Sequence, residues 1–124
     1  MEIDGKVITG LGKGAYFIAQ EFYSKKFEEF LGFIPFAGTL NIIIPEEYLD
    51  EINSLKKSCT NIIKPDEGFG AVKFIKATLN GSVHGAIVFP AKTVHDENYL
   101  EFISKDKLRD SLNLEDDDVV TLKI

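Results

Sequence analysis

The sequence predicts a mainly β-stranded single domain with a few helical additions, folded as a small barrel. Short runs of β-branched and aromatic residues recur along its 124 residues, whereas only two or three segments have helical spacing. Two of these runs are joined by Asn80-Gly81, a dipeptide that is typical of a two-residue hairpin turn. Because parallel β-α-β units are missing from the pattern, a barrel is favoured over a doubly wound sheet.

The individual elements follow from these patterns in order along the chain. Residues 6–9 form a β-branched strand, and residues 16–31 form a helix whose mostly aromatic apolar side chains recur at helical spacing and belong to the core. Gly32 ends that helix, and Pro35 sets a turn. The remaining predicted elements are strands 39–44, 71–79, 82–89 and 119–123, and short helices 46–55 and 106–112.

Composition and charge argue against several classes of protein. The net charge is −6, and Arg109 is the single arginine, so a nucleic-acid partner is not expected and a nucleotide is favoured over a polymer. No apolar run reaches the roughly 20 residues of a membrane span, and residues 1–4 lack the pattern of a signal peptide. Cys59 is the only cysteine, so no disulfide framework is expected and the cytoplasm is the predicted location.

A segment rich in glycine lies between the first strand and the long helix. We call residues 10–15 the glycine loop; its members are Gly10, Leu11, Gly12, Lys13, Gly14 and Ala15. Alternate glycines let backbone N–H groups turn toward an anion, and the helix that follows directs the positive end of its dipole at the same point. The pattern is typical of phosphate binding, although such turns also occur without a ligand. It matches neither a P-loop nor a complete dinucleotide fingerprint.

A second candidate site lies in the strand predicted over residues 39–44. Because residues two apart on a strand share a face, Thr39 and Asn41 present a hydroxyl and a carboxamide oxygen side by side. Two neutral oxygens hold a free divalent cation poorly, but they suit Mg²⁺ that arrives already bound to phosphates. The alternative is that both are ordinary polar residues facing solvent.

The other polar groups indicate less specific chemistry. His84 and His95 have no cysteine or histidine partner at ligand spacing, so a zinc site is not expected. The acidic run 115–118 is either a metal site or, as its apolar flanks favour, a solvated turn that leads into a strand. Lys107 and Arg109 either contact phosphate or remain at the surface in water.

The order of these motifs resembles that of one known family. Over nearly its whole length the chain is similar to the archaeal CTP-dependent riboflavin kinases. Gly38-Thr39-Leu40-Asn41 and Lys107-Leu108-Arg109 are specific to that family. The other segments that carry the resemblance are the glycine loop, residues 33–37, the Asn80-Gly81 turn, and residues 84–90, 92–93, 99–101 and 112–119.

The resemblance implies a six-stranded cradle-loop (RIFT-like) barrel that transfers the γ-phosphoryl group of CTP to the 5′-hydroxyl of riboflavin, giving FMN and CDP. It implies that the glycine loop wraps the nucleotide phosphates and that Thr39 and Asn41 ligate Mg²⁺. Thr93 and Glu101 are implied to contact the flavin, and Glu101 to orient the hydroxyl or accept its proton. The residues implied to line the nucleotide are Asp106, Lys107, Leu108 and Arg109.

Several alternatives remain open at this point. The barrel is either a kinase or a flavin- or nucleotide-binding module without activity, and a kinase acting on another small alcohol is a nearer rival. Lys13 either reaches the γ-phosphate or faces solvent, and the oligomeric state, a monomer included, is open. Some family members carry an N-terminal helix-turn-helix domain; this chain is expected to begin at the barrel. Asp117 stands where members of that family commonly have glycine, which predicts a left-handed backbone at this residue.

Overall fold

The computed structural model describes residues 1–10, 18–64, 70–90 and 98–124. Within these ranges, every helix falls short of the length and apolar character that a membrane span requires. The helices are α1 (Glu21–Leu31), α2 (Leu49–Ser58) and α3 (Leu108–Ser111), and a 3₁₀ turn, Glu46–Tyr48, precedes α2. The strands are β1 (Glu2–Ile8), β2 (Leu40–Ile43), β3 (Ile62–Ile63), β4 (Val72–Leu79), β5 (Val83–Pro90), β6 (Tyr99–Ser104) and β7 (Val119–Lys123).

Six of these strands form a closed antiparallel barrel, as the sequence predicted. Their order is β4-β5-β6-β2-β1-β7, and β7 pairs in turn with β4, so that the ring closes. The closing pairs are Thr78 with Lys123 and Leu79 with Leu122. The short strand β3 pairs with the opposite end of β4. Closure lets each strand of the ring form backbone hydrogen bonds with two neighbours, which removes the exposed edges of an open sheet.

Hydrophobic side chains pack on both faces of the barrel wall. On β4, Ala77 and Leu79 point to the interior, whereas Val72 and Phe74, at the other parity of the strand, point outward. The interior cluster also contains Ile3, Val7, Ile42, Phe102 and Leu122. Outside the wall, α1 covers the sheet with Tyr23 and Phe27, which are 4% and 0% exposed. Core packing is therefore confirmed for Tyr23 and Phe27, whereas Phe30 of the same predicted stripe is 40% exposed. Tyr16 lies outside the described residues.

The structure corrects the predicted bounds of two elements and adds two more. β1 begins at Glu2 and not at residue 6, because its first half pairs with β7. The helix predicted over 16–31 is interrupted at Gln20, which is extended with φ −68° and ψ 126°: Ile18 and Ala19 are helical before it, and α1 begins after it at Glu21. Residues 16 and 17 lie outside the described residues. The short β3 and β6 were not predicted, although β6 joins β2 to β5 and completes the ring.

Three predicted turn conformations are confirmed. Gly32 ends α1 in the left-handed region with φ 80°, and its N–H donates to the carbonyl of Glu28 at 2.9 Å. Asn80 and Gly81 both have positive φ, 51° and 75°, as a type I′ hairpin turn requires. Asp117 has φ 75°, so the aspartate that replaces a common glycine keeps the left-handed backbone.

Gly85 allows β5 and β6 to approach closely. A Cβ atom at Gly85 would overlap the carbonyl oxygen of Ile103 and lie 2.6 Å from Cζ of Phe102. Because a backbone atom cannot rotate away, we expect Gly85→Ala to lower the free energy of unfolding by about 2 kcal/mol in urea titrations. Gly70→Ala is the matched control, since a Cβ there meets no atom of the described residues within 4 Å. Equal unfolding free energies for the two variants would refute this role of Gly85.

Candidate functional site

Three neighbouring strands bring a set of oxygen-bearing side chains together. Ile8 of β1 lies opposite Asn41 of β2, and Asn41 lies opposite Glu101 of β6. Thr39 directly precedes β2 and is two residues from Asn41, so both side chains lie on the same face of the sheet. We call Thr39, Asn41 and Glu101 the oxygen cluster.

The members of the oxygen cluster are close enough to act on one ligand. Oγ1 of Thr39 lies 3.4 Å from Oδ1 of Asn41 and 3.4 Å from Oε1 of Glu101. Nδ2 of Asn41 also donates to the backbone oxygen of Thr39 at 3.5 Å. All three residues are half-buried, so a ligand can reach them from solvent. The distances exceed the usual O–H···O range of about 2.5–3.0 Å, so these hydrogen bonds are weak.

The start of the glycine loop lies against this cluster. A Cβ atom at Gly10 would overlap the Asn41 carboxamide, with its Cγ only 2.6 Å away. Glycine at this position therefore lets the backbone that leaves β1 pass directly beside Asn41. The two candidate sites that the sequence predicted separately, the glycine loop and the Thr39/Asn41 pair, meet at this contact. The rest of the loop, Leu11 to Ala15, lies outside the described residues.

The chemistry of the oxygen cluster fits Mg²⁺ held together with phosphates. A hydroxyl, a carboxamide and a carboxylate are hard oxygen donors, the type that Mg²⁺ prefers. Only Glu101 among them carries charge, and the described residues contain no group of three or more His, Cys, Asp or Glu placed to hold a metal by themselves. The donor set is therefore suited to a metal that phosphate oxygens also bind, because the protein supplies little of the neutralising charge.

An ion pair anchors the other side of the loop's start. Nη2 of Arg109, in α3, donates to Oδ1 of Asp116 at 2.5 Å and to the backbone oxygen of Ile8 at 2.9 Å. The Thr9 hydroxyl donates to Oδ2 of the same Asp116 at 2.8 Å. Hydrogen bonds from Arg109 and Thr9 hold the pKa of the Asp116 carboxyl below its ordinary value. Residues 8 and 9, which lead into the glycine loop, are thus tied to α3 and to the acidic turn.

This ion pair makes stability depend on pH. Because the Asp116 pKa is lower in the folded than in the unfolded chain, its contribution is complete above the unfolded value and disappears as pH falls through the folded value. We expect the difference in unfolding free energy between the wild-type chain and Asp116→Asn to be constant above about pH 5 and to shrink as pH falls through the ordinary aspartate pKa of 3.8 toward the lower folded value. Urea titrations at several pH values measure it. A difference that grows toward low pH would contradict the assignment.

Comparisons with known proteins identify the family. The family model named for the CTP-dependent riboflavin kinases, described as domain of unknown function DUF120, matches residues 7–124. The chain belongs to this family. A riboflavin kinase of Methanobrevibacter smithii is 68% identical over 99% of this chain and 99% of its own length. One of Methanothermobacter thermautotrophicus is 46% identical over 94% and 93%, and a longer one of Pyrobaculum aerophilum is 44% identical over 97% and 59%.

The family match includes every residue of the site described above. The oxygen cluster, Gly10, Thr9 and the Arg109–Asp116 pair all fall within residues 7–124. Of the residues that the resemblance assigned to the metal and the flavin, the structure brings Thr39, Asn41 and Glu101 together. Thr93, the second residue assigned to the flavin, lies outside the described residues.

The residues assigned to the nucleotide near the C-terminus have different environments. The backbone N–H of Asp106 donates to Oγ of Ser104 at 3.4 Å, and Lys107 lies 3.7 Å from Asp110 in an exposed ion pair. Leu108 is 6% exposed and packs in the core, so its side chain cannot face a ligand unless the packing changes. Arg109 is the member of this segment that the structure links to Ile8, two residues before the glycine loop.

Asp116 and Thr9 are the site residues that the sequence analysis missed. The acidic run was expected to be a solvated turn leading into a strand, and it does lead into β7, but Asp116 binds both Arg109 and Thr9. The sequence contained one signal for the Arg109–Asp116 pair: the single arginine of the chain lies seven residues before this aspartate. That signal is weak, because the hydrogen bonds join β1 to a turn more than 100 residues later.

Proposed function

We propose that this chain is a CTP-dependent riboflavin kinase, which transfers the γ-phosphoryl group of CTP to the 5′-hydroxyl of riboflavin and releases FMN and CDP. The observation that carries the proposal is the contact between Gly10, the first residue of the glycine loop, and Asn41 of the oxygen cluster. This contact places a loop of the kind that binds phosphate beside side chains of the kind that bind a metal ion. Similarity to riboflavin kinases along the whole chain supports riboflavin as the phosphoryl acceptor. The name of the family model supports CTP as the phosphoryl donor.

Phosphoryl transfer requires positioning and charge stabilisation more than covalent chemistry. Thr39 and Asn41 would hold Mg²⁺, which when bound neutralises charge on the triphosphate oxygens. The backbone N–H groups of the glycine loop, beginning at Gly10, would bind the phosphates from the other side. All of these protein donors are neutral. They suit a bound metal whose charge is balanced by the negative charges of the triphosphate.

Glu101 is proposed to contact the acceptor end of riboflavin. Its carboxylate lies beside Thr39, so the acceptor hydroxyl and the transferred phosphoryl group would meet at the oxygen cluster. A carboxylate there can accept a hydrogen bond from the 5′-hydroxyl and orient it for in-line attack. A strong base is not required, because a loose phosphoryl-transfer transition state draws little help from proton removal. Thr93 keeps the flavin role that the resemblance implies, and for Lys13 the sequence analysis leaves two alternatives, the γ-phosphate and solvent.

Product formation tests the proposal directly. The protein is incubated with riboflavin, Mg²⁺ and each of CTP, ATP, GTP and UTP, and FMN is separated by chromatography. We expect FMN and an equal amount of CDP with CTP, and much less FMN with the other nucleotides. FMN formed equally well with ATP would refute CTP dependence alone. Binding of flavin without FMN from any nucleotide would instead favour a non-enzymatic binding module.

The metal assignment predicts how Mg²⁺ binds in the absence of nucleotide. Because Thr39 and Asn41 are neutral and Glu101 carries the only charge of the cluster, the free protein should bind Mg²⁺ weakly, with a Kd in the millimolar range or above. Calorimetric titration with and without CDP measures the difference. Tight Mg²⁺ binding to the nucleotide-free protein would contradict the assignment.

The cytoplasmic location and the lack of a nucleic-acid partner stay predictions from the sequence.

A further inference from the structure

The Asp116 carboxylate is the point at which three separate parts of the chain meet. Its two oxygens accept hydrogen bonds from Arg109 of α3 and from Thr9, which directly follows β1. We propose that Asp116 is a positioning residue for the nucleotide: it orients the Arg109 guanidinium and holds Thr9 at the start of the glycine loop. This inference rests on the proposed function, because it assigns Asp116 a part in binding the nucleotide of that reaction.

The turn that carries Asp116 is itself held firmly in place. The N–H of Asp117 donates to the carbonyl of Val7 at 2.7 Å, and the N–H of Val7 donates to the carbonyl of Asp118 at 2.9 Å. Oδ2 of Asp118 accepts the N–H of Glu115 at 2.8 Å, which closes the turn. Asp116 is thus presented from a turn whose next two residues are both bonded to Val7 of β1, and its carboxylate is directed toward Thr9.

Arg109 can be fixed by the protein and still contact a ligand. Its contacts with Ile8 and Asp116 are made by one nitrogen, Nη2, whereas a guanidinium has five N–H donors on three nitrogens. The side chain is 33% exposed, so part of the planar group faces solvent. Arg109 is also the only arginine in a chain of net charge −6, so its orientation matters for any anionic ligand.

Thr9 transmits the same constraint toward the oxygen cluster. It precedes Gly10, whose backbone lies against Asn41, and it follows Ile8, whose carbonyl accepts the second Arg109 hydrogen bond. Three consecutive residues therefore connect the Arg109–Asp116 pair with the residues proposed to bind Mg²⁺. If Asp116 loses its charge, both the guanidinium and the start of the glycine loop lose a common anchor.

Four variants of the full chain test the inference. Asp116→Asn removes the charge, Thr9→Val removes the hydroxyl at nearly constant shape, and Thr9→Ser restores the hydroxyl. Glu115→Gln is the matched control, because it removes a carboxylate of the same turn for which the structure shows no side-chain hydrogen bond within the described ranges. For each variant, calorimetry with Mg²⁺ gives the Kd of CDP, kinetics give KM for CTP and for riboflavin, and urea titration gives stability.

We expect Asp116→Asn to raise the Kd of CDP and the KM of CTP about tenfold, as loss of one charge-assisted contact predicts. Thr9→Val should raise them about threefold, while Thr9→Ser and Glu115→Gln stay near the wild type and the KM of riboflavin is unchanged in all four. A purely structural role would instead lower stability at constant Kd. Unchanged or tighter CDP binding by Asp116→Asn and Thr9→Val would overturn the inference.

The outcomes for the two proposals can be separated. A wild-type chain that binds no CDP and forms no FMN would refute the proposed function, and the inference about Asp116 with it. A wild-type chain that binds CDP, with variants that bind it equally well, would refute the inference alone. Thr9 is at an exposed position, so Thr9→Val gives this answer even if Asp116→Asn fails to fold.

Discussion

Asn41→Ala is expected to lower kcat/KM for FMN formation from CTP by about 10²–10³-fold, the usual effect of removing one group that stabilises developing charge. Asn41 occupies the middle of the site, opposite Glu101 in the register, beside Thr39, and against Gly10. Its side chain is half-buried, and its backbone pairing within the sheet does not depend on the carboxamide. The free energy of unfolding should therefore change little while turnover falls.

Thr39→Ala should lower kcat/KM by a similar factor, and the effects of the two substitutions should not multiply in the double variant. Both side chains are proposed to act on one metal–phosphate complex, so the double variant should be little worse than the more severe single variant. Two matched controls remove the same atoms from residues outside the site. They are Asn53→Ala, in α2, and Thr60→Ala, just after that helix. Wild-type kinetics for both Asn41→Ala and Thr39→Ala would exclude the oxygen cluster from the reaction.

Gly10→Ala is expected to lower kcat/KM by about 100-fold without unfolding the protein. The new Cβ would overlap the Asn41 carboxamide, which is the far end of a side chain and can rotate away. Rotation relieves the overlap but moves Asn41 from its place beside Thr39. Because Gly10 does not have a left-handed backbone, alanine adds no conformational strain, and the unfolding free energy should change by less than about 1 kcal/mol.

A double variant separates this explanation from a general disturbance of the glycine loop. If Gly10→Ala acts by displacing Asn41, combining it with Asn41→Ala should give the activity of Asn41→Ala alone. Gly70→Ala is the control for adding a methyl group, since no atom in the described part of the chain lies within 4 Å of its Cβ position. Effects of Gly10→Ala and Asn41→Ala that multiply in the double variant would show that Gly10 acts independently of Asn41.

The strands that the sequence predicted well carry their signal in local pattern. β7 was predicted with its observed bounds, and the β4–β5 hairpin follows from Asn80-Gly81, whose positive φ values only a few residue types adopt readily. β6 and the first half of β1 were missed. The first half of β1 has exposed acidic residues at alternate positions, Glu2 and Asp4, and β6 contains the half-buried Glu101. The stability of both segments comes from neighbours on either side that the local sequence does not reveal.

The site was partly predictable for the same reason. Thr39 and Asn41 are two residues apart on a strand, so their shared face follows from strand geometry alone. Glu101 joins them through the pairing of β2 with β6, and that register depends on how the barrel closes. Asp116 reaches Thr9 across more than 100 residues of sequence, by means of a turn that lies beside the end of β1 only in the folded chain.

The sequence by itself determined the class of fold, the family resemblance and the types of group available for chemistry. These depend on periodicity, turn residues and the order of short motifs, all of which are local properties of the chain. Only the tertiary structure decided that Gly10, Asn41, Thr39 and Glu101 form one cluster and that Asp116 anchors Arg109 beside it. The physical reason is that a closed barrel sets the register between distant strands, and register decides which side chains meet.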